Sequence, residues 1–221
     1  MELTENQVQQ VKSYVTKNFN YIDLQMEVID HIISDIETRM SNQISFEKAL
    51  KLSTLKWKQF FEKDYLLFYF GSMYSAPRIV LKKAKATYKL YYFWFLAIYF
   101  IGILGLTRLK KINYSFNAEF IETITLVLKI VLAIAIINFN YILFKVWFSK
   151  VKTAYSFIIK SHTFMNIFLI IPFIGNGFFN DDSGFMNIKI VFMFVGIYFS
   201  GIDVIFYKKH LQAIKTNLQW N

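Results

Sequence analysis

The sequence predicts an all-α fold: a four-helix transmembrane protein with a small N-terminal cytoplasmic domain of three helices. Three observations predict it. Four apolar stretches long enough to cross a bilayer follow one another after residue 90. Charge is split, with ten acids and eight bases in residues 1–64 against five acids and seventeen bases in residues 65–221. The front carries helix-capping residues and apolar residues at helical spacing. Hydrophobic residues make up 55% of the chain, above the roughly 45–50% of soluble domains. That excludes an ordinary water-soluble globule and a disordered chain. The absence of Cys excludes a disulfide framework, thiolate zinc and iron–sulfur ligation.

The organisation reads as a helical domain over 1–64, an interfacial or juxtamembrane linker over 65–90, four spans over 91–207 and a tail over 208–221. Thr4 and Gln7 have capping-box spacing and open a helix to about Lys17, with Val8, Val11, Tyr14 and Val15 as its apolar stripe. Tyr21–Met40 forms the second helix, with Asp23 as a candidate cap and Ile29, Ile32, Ile33, Ile36 and Met40 on one face. Ser45 caps the third, which carries Phe46, Ala49, Leu50, Leu55, Trp57, Phe60 and Phe61. Sixty-four residues bury little, so this domain is expected to lean on the membrane or on a partner.

Tyr65–Val80 is apolar but too short to cross, and is broken by Gly71 and Pro77. It suits an interfacial helix or a re-entrant dip, and its aromatic content favours the interface. The spans are read as Tyr91–Thr107, Thr123–Phe148, Phe157–Phe179 and Asn187–Tyr207. Bases cluster before the first span (Arg78, Lys82, Lys83, Lys85, Lys89), between the second and third (Lys150, Lys152) and after the fourth (Lys208, Lys209, Lys215). The third-to-fourth loop holds Asp181 and Asp182 without a base; the first-to-second loop dissents with Arg108, Lys110 and Lys111. The balance places both termini in the cytoplasm of a bacterial inner-membrane protein. The acidic start, Met1-Glu2-Leu3-Thr4-Glu5, predicts no secretory signal. The net charge of +10 is therefore a set of membrane anchors, and no nucleic-acid partner is expected.

The run Tyr21-Ile22-Asp23-Leu24-Gln25-Met26-Glu27-Val28-Ile29-Asp30-His31, with Ile36-Glu37 and Ser45-Phe46-Glu47-Lys48-Ala49 after it, is the most distinctive text in the chain. It resembles the Y-x-D-L-Q-x-E-x-x-D-H-x-x-x-x-I-E segment opening many small multi-pass membrane proteins of flavobacteria and relatives. More loosely, it is similar to helical prefix domains of bacterial permeases and regulators. The resemblance covers residues 1 to about 60. It implies a helical N-terminal domain ahead of membrane spans, and no catalytic residue, since that group has no agreed activity.

Two sets of polar residues are candidate sites. Asp23, Glu27, Asp30, His31 and Ser34, with Asp35 alongside, share the helix face opposite the isoleucines. Glu27, Asp30 and His31 stand at i, i+3 and i+4, but with one His they lack the two that zinc motifs need, so no metal is expected. A solvated stripe with His31 paired to Glu27 or Asp35 is the plain alternative; docking of a protein partner, or of Lys82, Lys83 and Lys85, is the functional one. Inside the spans, Lys129, Asn140, His162 and Asp203 are costly enough to be functional candidates. With alternating span directions, Asn138, Asn140, His162 and Asp203 fall at one depth. His162 and Asp203 are either interhelical glue or a proton- or cation-handling pair. Lys129 snorkels outward or turns to Glu122, and Lys160 and Lys189 snorkel. Gly102 and Gly105, and Gly196 with Ser200 and Gly201, read as close-packing positions.

The chain has no P-loop, G-x-G-x-x-G, G-x-S-x-G or H-E-x-x-H, so no enzyme and no cofactor are predicted. The expected function is that of an accessory or regulatory interaction protein, set in the lipid bilayer, whose cytoplasmic helices dock a protein partner or larger assembly. The alternative is a small transporter or channel subunit using the intramembrane Asp/His pair.

Overall fold

The computed structural model describes residues 2–65, 74–111, 117–174, 178–179 and 187–218. Its elements in chain order are helices α1 (Glu5–Asn18), α2 (Ile22–Ser41) and α3 (Phe46–Phe61), and a two-residue hairpin ladder of β1 (Lys63–Asp64) and β2 (Ala76–Pro77). Helices α4 (Arg78–Lys111), α5 (Ala118–Trp147), α6 (Ala154–Ser161), α7 (Ile167–Ile170) and α8 (Lys189–Leu218) follow. Short 3-10 turns, His162–Asn166 and Ile171–Phe173, flank α7. Of the apolar stretch expected at the interface, residues 66–73 lie outside the described residues, as do Asp181 and Asp182. Its C-terminal part is β2 and the first turn of α4.

The chain forms two compact units. The first joins Met1–Thr87 with Ser149–Ile158 and Lys208–Asn221. Its α1 opens with the capping box: the Gln7 N–H donates to the Thr4 hydroxyl, and the Thr4 N–H donates back to the Gln7 side chain at 2.9 Å. Val11 and Val15 of α1, Val28, Ile32 and Ile36 of α2, and Ala49 of α3 are fully buried between the three helices. Phe61 stacks on Phe19 at 5.2 Å and closes one end. Gln43, between α2 and α3, takes a left-handed φ of 62°, the conformation that turns the chain out of a helix. Later parts of the chain join these helices in the same unit. Tyr21 forms a parallel bridge with Lys152, the Ile22 N–H donates to the Lys152 carbonyl at 3.0 Å, and the end of α8 belongs to the same unit.

The second unit holds Tyr88–Phe148 and Ile159–Tyr207. Its core gathers Leu132, Ala135 and Phe139 of α5, Leu169 of α7, Phe178 and Phe179, and Ile190 and Met193 of α8. More than half of the apolar stretch of α8 is buried, whereas almost none of that of α4 or α5 is. Leu90, Phe93, Ile101 and Leu104 of α4 and Ile130, Ile134 and Ile137 of α5 are exposed. Apolar outer faces of this extent mark surfaces that meet a membrane or another protein. Two glycines mark close approaches. A Cβ on Gly102 would come within 2.9 Å of Val191, and one on Gly196 within 2.6 Å of Leu169. At Gly105 and Gly201 nothing lies within 4 Å, whereas Ser200 is buried against Ala135, so three of the five small residues sit at a contact.

Among the described residues, three helices are long and apolar enough to cross a membrane, not four. They are α4, α5 and α8, roughly 45–51 Å long at 1.5 Å per residue. The expected third span, Phe157–Phe179, is instead broken into α6, a 3-10 turn, α7 and a second 3-10 turn. Two local causes act. Thr163 turns its hydroxyl back onto the Lys160 carbonyl at 2.7 Å, a bond that competes with the helix ladder where the 3-10 turn begins. Pro172 has no N–H to give and crowds the preceding turn, so the helix ends there.

Candidate functional site

His162 and Asp203 meet in the second unit. His162 opens the 3-10 turn after α6, and Asp203 projects from α8. Nδ1 and Oδ1 are 2.7 Å apart, and each side chain is 1% exposed. Tyr88 packs its ring 5.0 Å from the imidazole, and Phe199 meets it edge-on at 5.2 Å. The other polar atoms of the pair, Nε2 of His162 and Oδ2 of Asp203, are buried without a hydrogen-bond partner among the described residues. With Nδ1 protonated the imidazole donates to the carboxylate, and Nε2 remains as a second place for a proton. The pair can therefore hold one proton or two in a site lined by rings.

The other polar candidates of the apolar stretches lie apart from this pair. Asn138 donates to Ser200 Oγ at 3.1 Å, and the Ser200 hydroxyl donates to the Ala135 carbonyl at 3.2 Å, which ties α5 to α8. Asn140 is exposed and donates to the Ile136 carbonyl of its own helix at 2.8 Å, so it is not part of the His162–Asp203 site. Lys129 is exposed on α5. Lys160 lies over the Trp147 ring at 5.4 Å, and Lys189 donates to the Ile174 carbonyl.

The acidic face of α2 is largely consumed within the first unit. Asp23 does not cap its own helix, whose N-cap is Tyr21. Its carboxylate instead accepts the Ala154 N–H at the start of α6. Burial, the largest influence, pushes the Asp23 carboxyl up to about 6, against the preference of a helix N-terminus for negative charge. Tyr21 beside it is pushed up to about 12 by burial and by the Asp23 charge. Glu27 pairs with Lys83 at 3.2 Å. Asp35 pairs with Arg39 at 3.2 Å and Lys56 at 3.1 Å, and accepts the buried Ser53 hydroxyl at 2.6 Å. Burial alone would raise its carboxyl, but those three bonds together hold it below the ordinary range. His31 stacks on Trp57 at 6.0 Å. Asp30 and His31 are exposed. Among the described residues no group of three or more His, Cys, Asp or Glu could hold a metal ion.

Sequence reasoning missed a buried node in the first unit. Thr153 and Ser156 bond each other reciprocally, N–H to hydroxyl, at 2.9 and 3.0 Å, and Thr153 Oγ1 lies 2.9 Å from His210 Nδ1. The Thr-x-x-Ser spacing ahead of the apolar run was the available signal, being that of a helix N-terminus. Nothing local pointed to His210, more than fifty residues away in the sequence. Compared with protein-family models, curated proteins and solved structures, the chain matches none.

Proposed function

We propose that this chain is a membrane-integral accessory or regulatory protein whose cytoplasmic unit docks a protein partner. One observation carries the reading. The segments that the basic clusters assign to one side of the membrane are the front of the chain, the second connection and the tail, and these supply the first compact unit. An anchor alone needs no such unit. Three helices long and apolar enough to cross a bilayer support the membrane placement. Three acids of the stripe are partnered within the unit, and Asp30 with His31 is exposed beside the exposed Met26. The test is affinity recovery of the full chain from its native membranes, wild type against Asp30→Lys. The expected outcome is loss of a recovered partner with the chain still in the membrane; unchanged recovery overturns the reading.

A second reading, a small proton- or cation-handling transporter or channel subunit, is favoured by the two atoms of the His162–Asp203 pair that are buried without a partner among the described residues. A pair kept for packing alone gains nothing from leaving polar atoms unsatisfied. Here Asp203→Asn removes a pH-dependent flux from liposomes holding the pure protein. Absence of flux in the wild type counts against it.

A further inference from the structure

A cleft of about 500 Å³ opens in the first unit. Its apolar lining includes Leu24, Trp57, Phe60 and Ile79. Four cations also line it, Lys56, Arg78, Lys82 and Lys83, against one carboxylate, Glu27. Three of these cations are held by carboxylates: Lys56 by Asp35 at 3.1 Å, Arg78 by Asp64 at 3.5 Å and Lys83 by Glu27 at 3.2 Å. The Arg78 and Lys83 pairs are about half exposed. Pairs of that kind are worth only about 0–1 kcal/mol, so both cations exchange readily to a multiply charged anion. Lys82 is exposed, has no ion pair among the described residues and is the excess charge. The cleft thus offers an apolar wall of Trp57 and Phe60, their rings 5.3 Å apart, next to a cationic one. That combination suits an anionic amphiphile better than a free anion.

Position along α4 says which amphiphile. Ala86, also in the cleft lining, precedes Tyr91 by five residues on the same helix. That is roughly 7–8 Å of helix rise, about the depth of a headgroup layer, roughly 5–8 Å. Juxtamembrane lysine and arginine clusters attract anionic lipid at about 1 kcal/mol per cation. We infer that this cleft binds the phosphate headgroup of an anionic phospholipid, with Lys82 as its principal cation and Trp57 and Phe60 against the glycerol and upper chain. The inference rests on reading α4 as a membrane span.

The test uses the full chain. Carbonate-washed membranes are assayed first. The protein is then extracted in mild detergent, and native mass spectrometry follows retention of phosphatidylglycerol and phosphatidylcholine. Phosphatidylglycerol is expected to be retained selectively. Lys82→Gln, an exposed change that leaves the fold intact, weakens that retention about fivefold, and Lys110→Gln at the far end of α4 leaves it unchanged. Equal retention of both lipids, or an unaffected Lys82→Gln, overturns the inference while leaving the protein in the membrane. Displacement of the lipid by inorganic phosphate at equal concentration gives the site to a free anion and overturns it. A dimer peak lost on Lys82→Gln gives the cleft to a second copy, with the same result. Release by carbonate removes the membrane reading itself and the inference with it.

Discussion

Asp23 of α2 caps helix α6 from 131 residues away, accepting the Ala154 N–H through both carboxylate oxygens at 3.1 and 3.0 Å. With Thr153 on the adjacent position, this satisfies backbone donors that a helix start leaves open. It also places a carboxylate at the positive end of a helix.

Asp23→Ala is expected to destabilise the first unit by about 1 kcal/mol, as loss of a cap does. The pH dependence has a definite sign. The carboxyl is pushed up to about 6, above its ordinary 3.8, so the native state binds more protons than the unfolded one between about pH 4 and 6. Its contribution is fully present below about pH 4 and is lost as pH rises through about 6. Thermal melts of wild type in detergent should fall across that window, and those of Asp23→Asn should stay flatter. A wild-type melt rising with pH there, relative to Asp23→Asn, contradicts the assignment.

Gly196→Ala is expected to cost about 1–3 kcal/mol, since its Cβ would press the Leu169 side chain at 2.6 Å and the Leu169 backbone nitrogen at 3.1 Å. Gly201→Ala, with nothing within 4 Å, should be neutral or slightly stabilising. Melting temperatures of the two variants in the same detergent check the contrast, and equal losses refute it.

Gln43→Gly is expected to stabilise the first unit by a few tenths to about 1 kcal/mol. Gln43 holds φ at 62°, where a Cβ costs roughly 1–2 kcal/mol and glycine loses part of that gain to unfolded-state entropy. Denaturant or thermal unfolding read on the first unit would show it; a destabilised variant would mean Gln43 makes a side-chain contact that outweighs the strain.

Much of the local structure was legible in the sequence because its causes are local. The Thr4–Gln7 box, the isoleucine spacing of α2 and the long apolar runs of α4, α5 and α8 each act within one helix. The juxtaposition of His162 and Asp203 was half-legible. The expected alternation of four spans put them toward the same side, and the side chains do meet at 2.7 Å, although the stretch that holds His162 is not one long helix. The same argument included Asn140, which turns outward, because depth alone says nothing of which way around a helix a residue points.

By itself, then, the sequence determined that the protein is helical, where its long apolar helices lie and how charge divides along the chain, since period, run length and capping depend on neighbours a few residues apart. Only the tertiary structure decided that α6 and α7 are separate pieces and not one long apolar helix. It also decided that Asp23 serves Ala154, that Asp35 serves Ser53 and Lys56, and that His210 serves Thr153. Those pairings join residues distant in the chain. A buried donor or carboxylate must find a partner somewhere, and which partner it finds is fixed by packing, which no local pattern encodes.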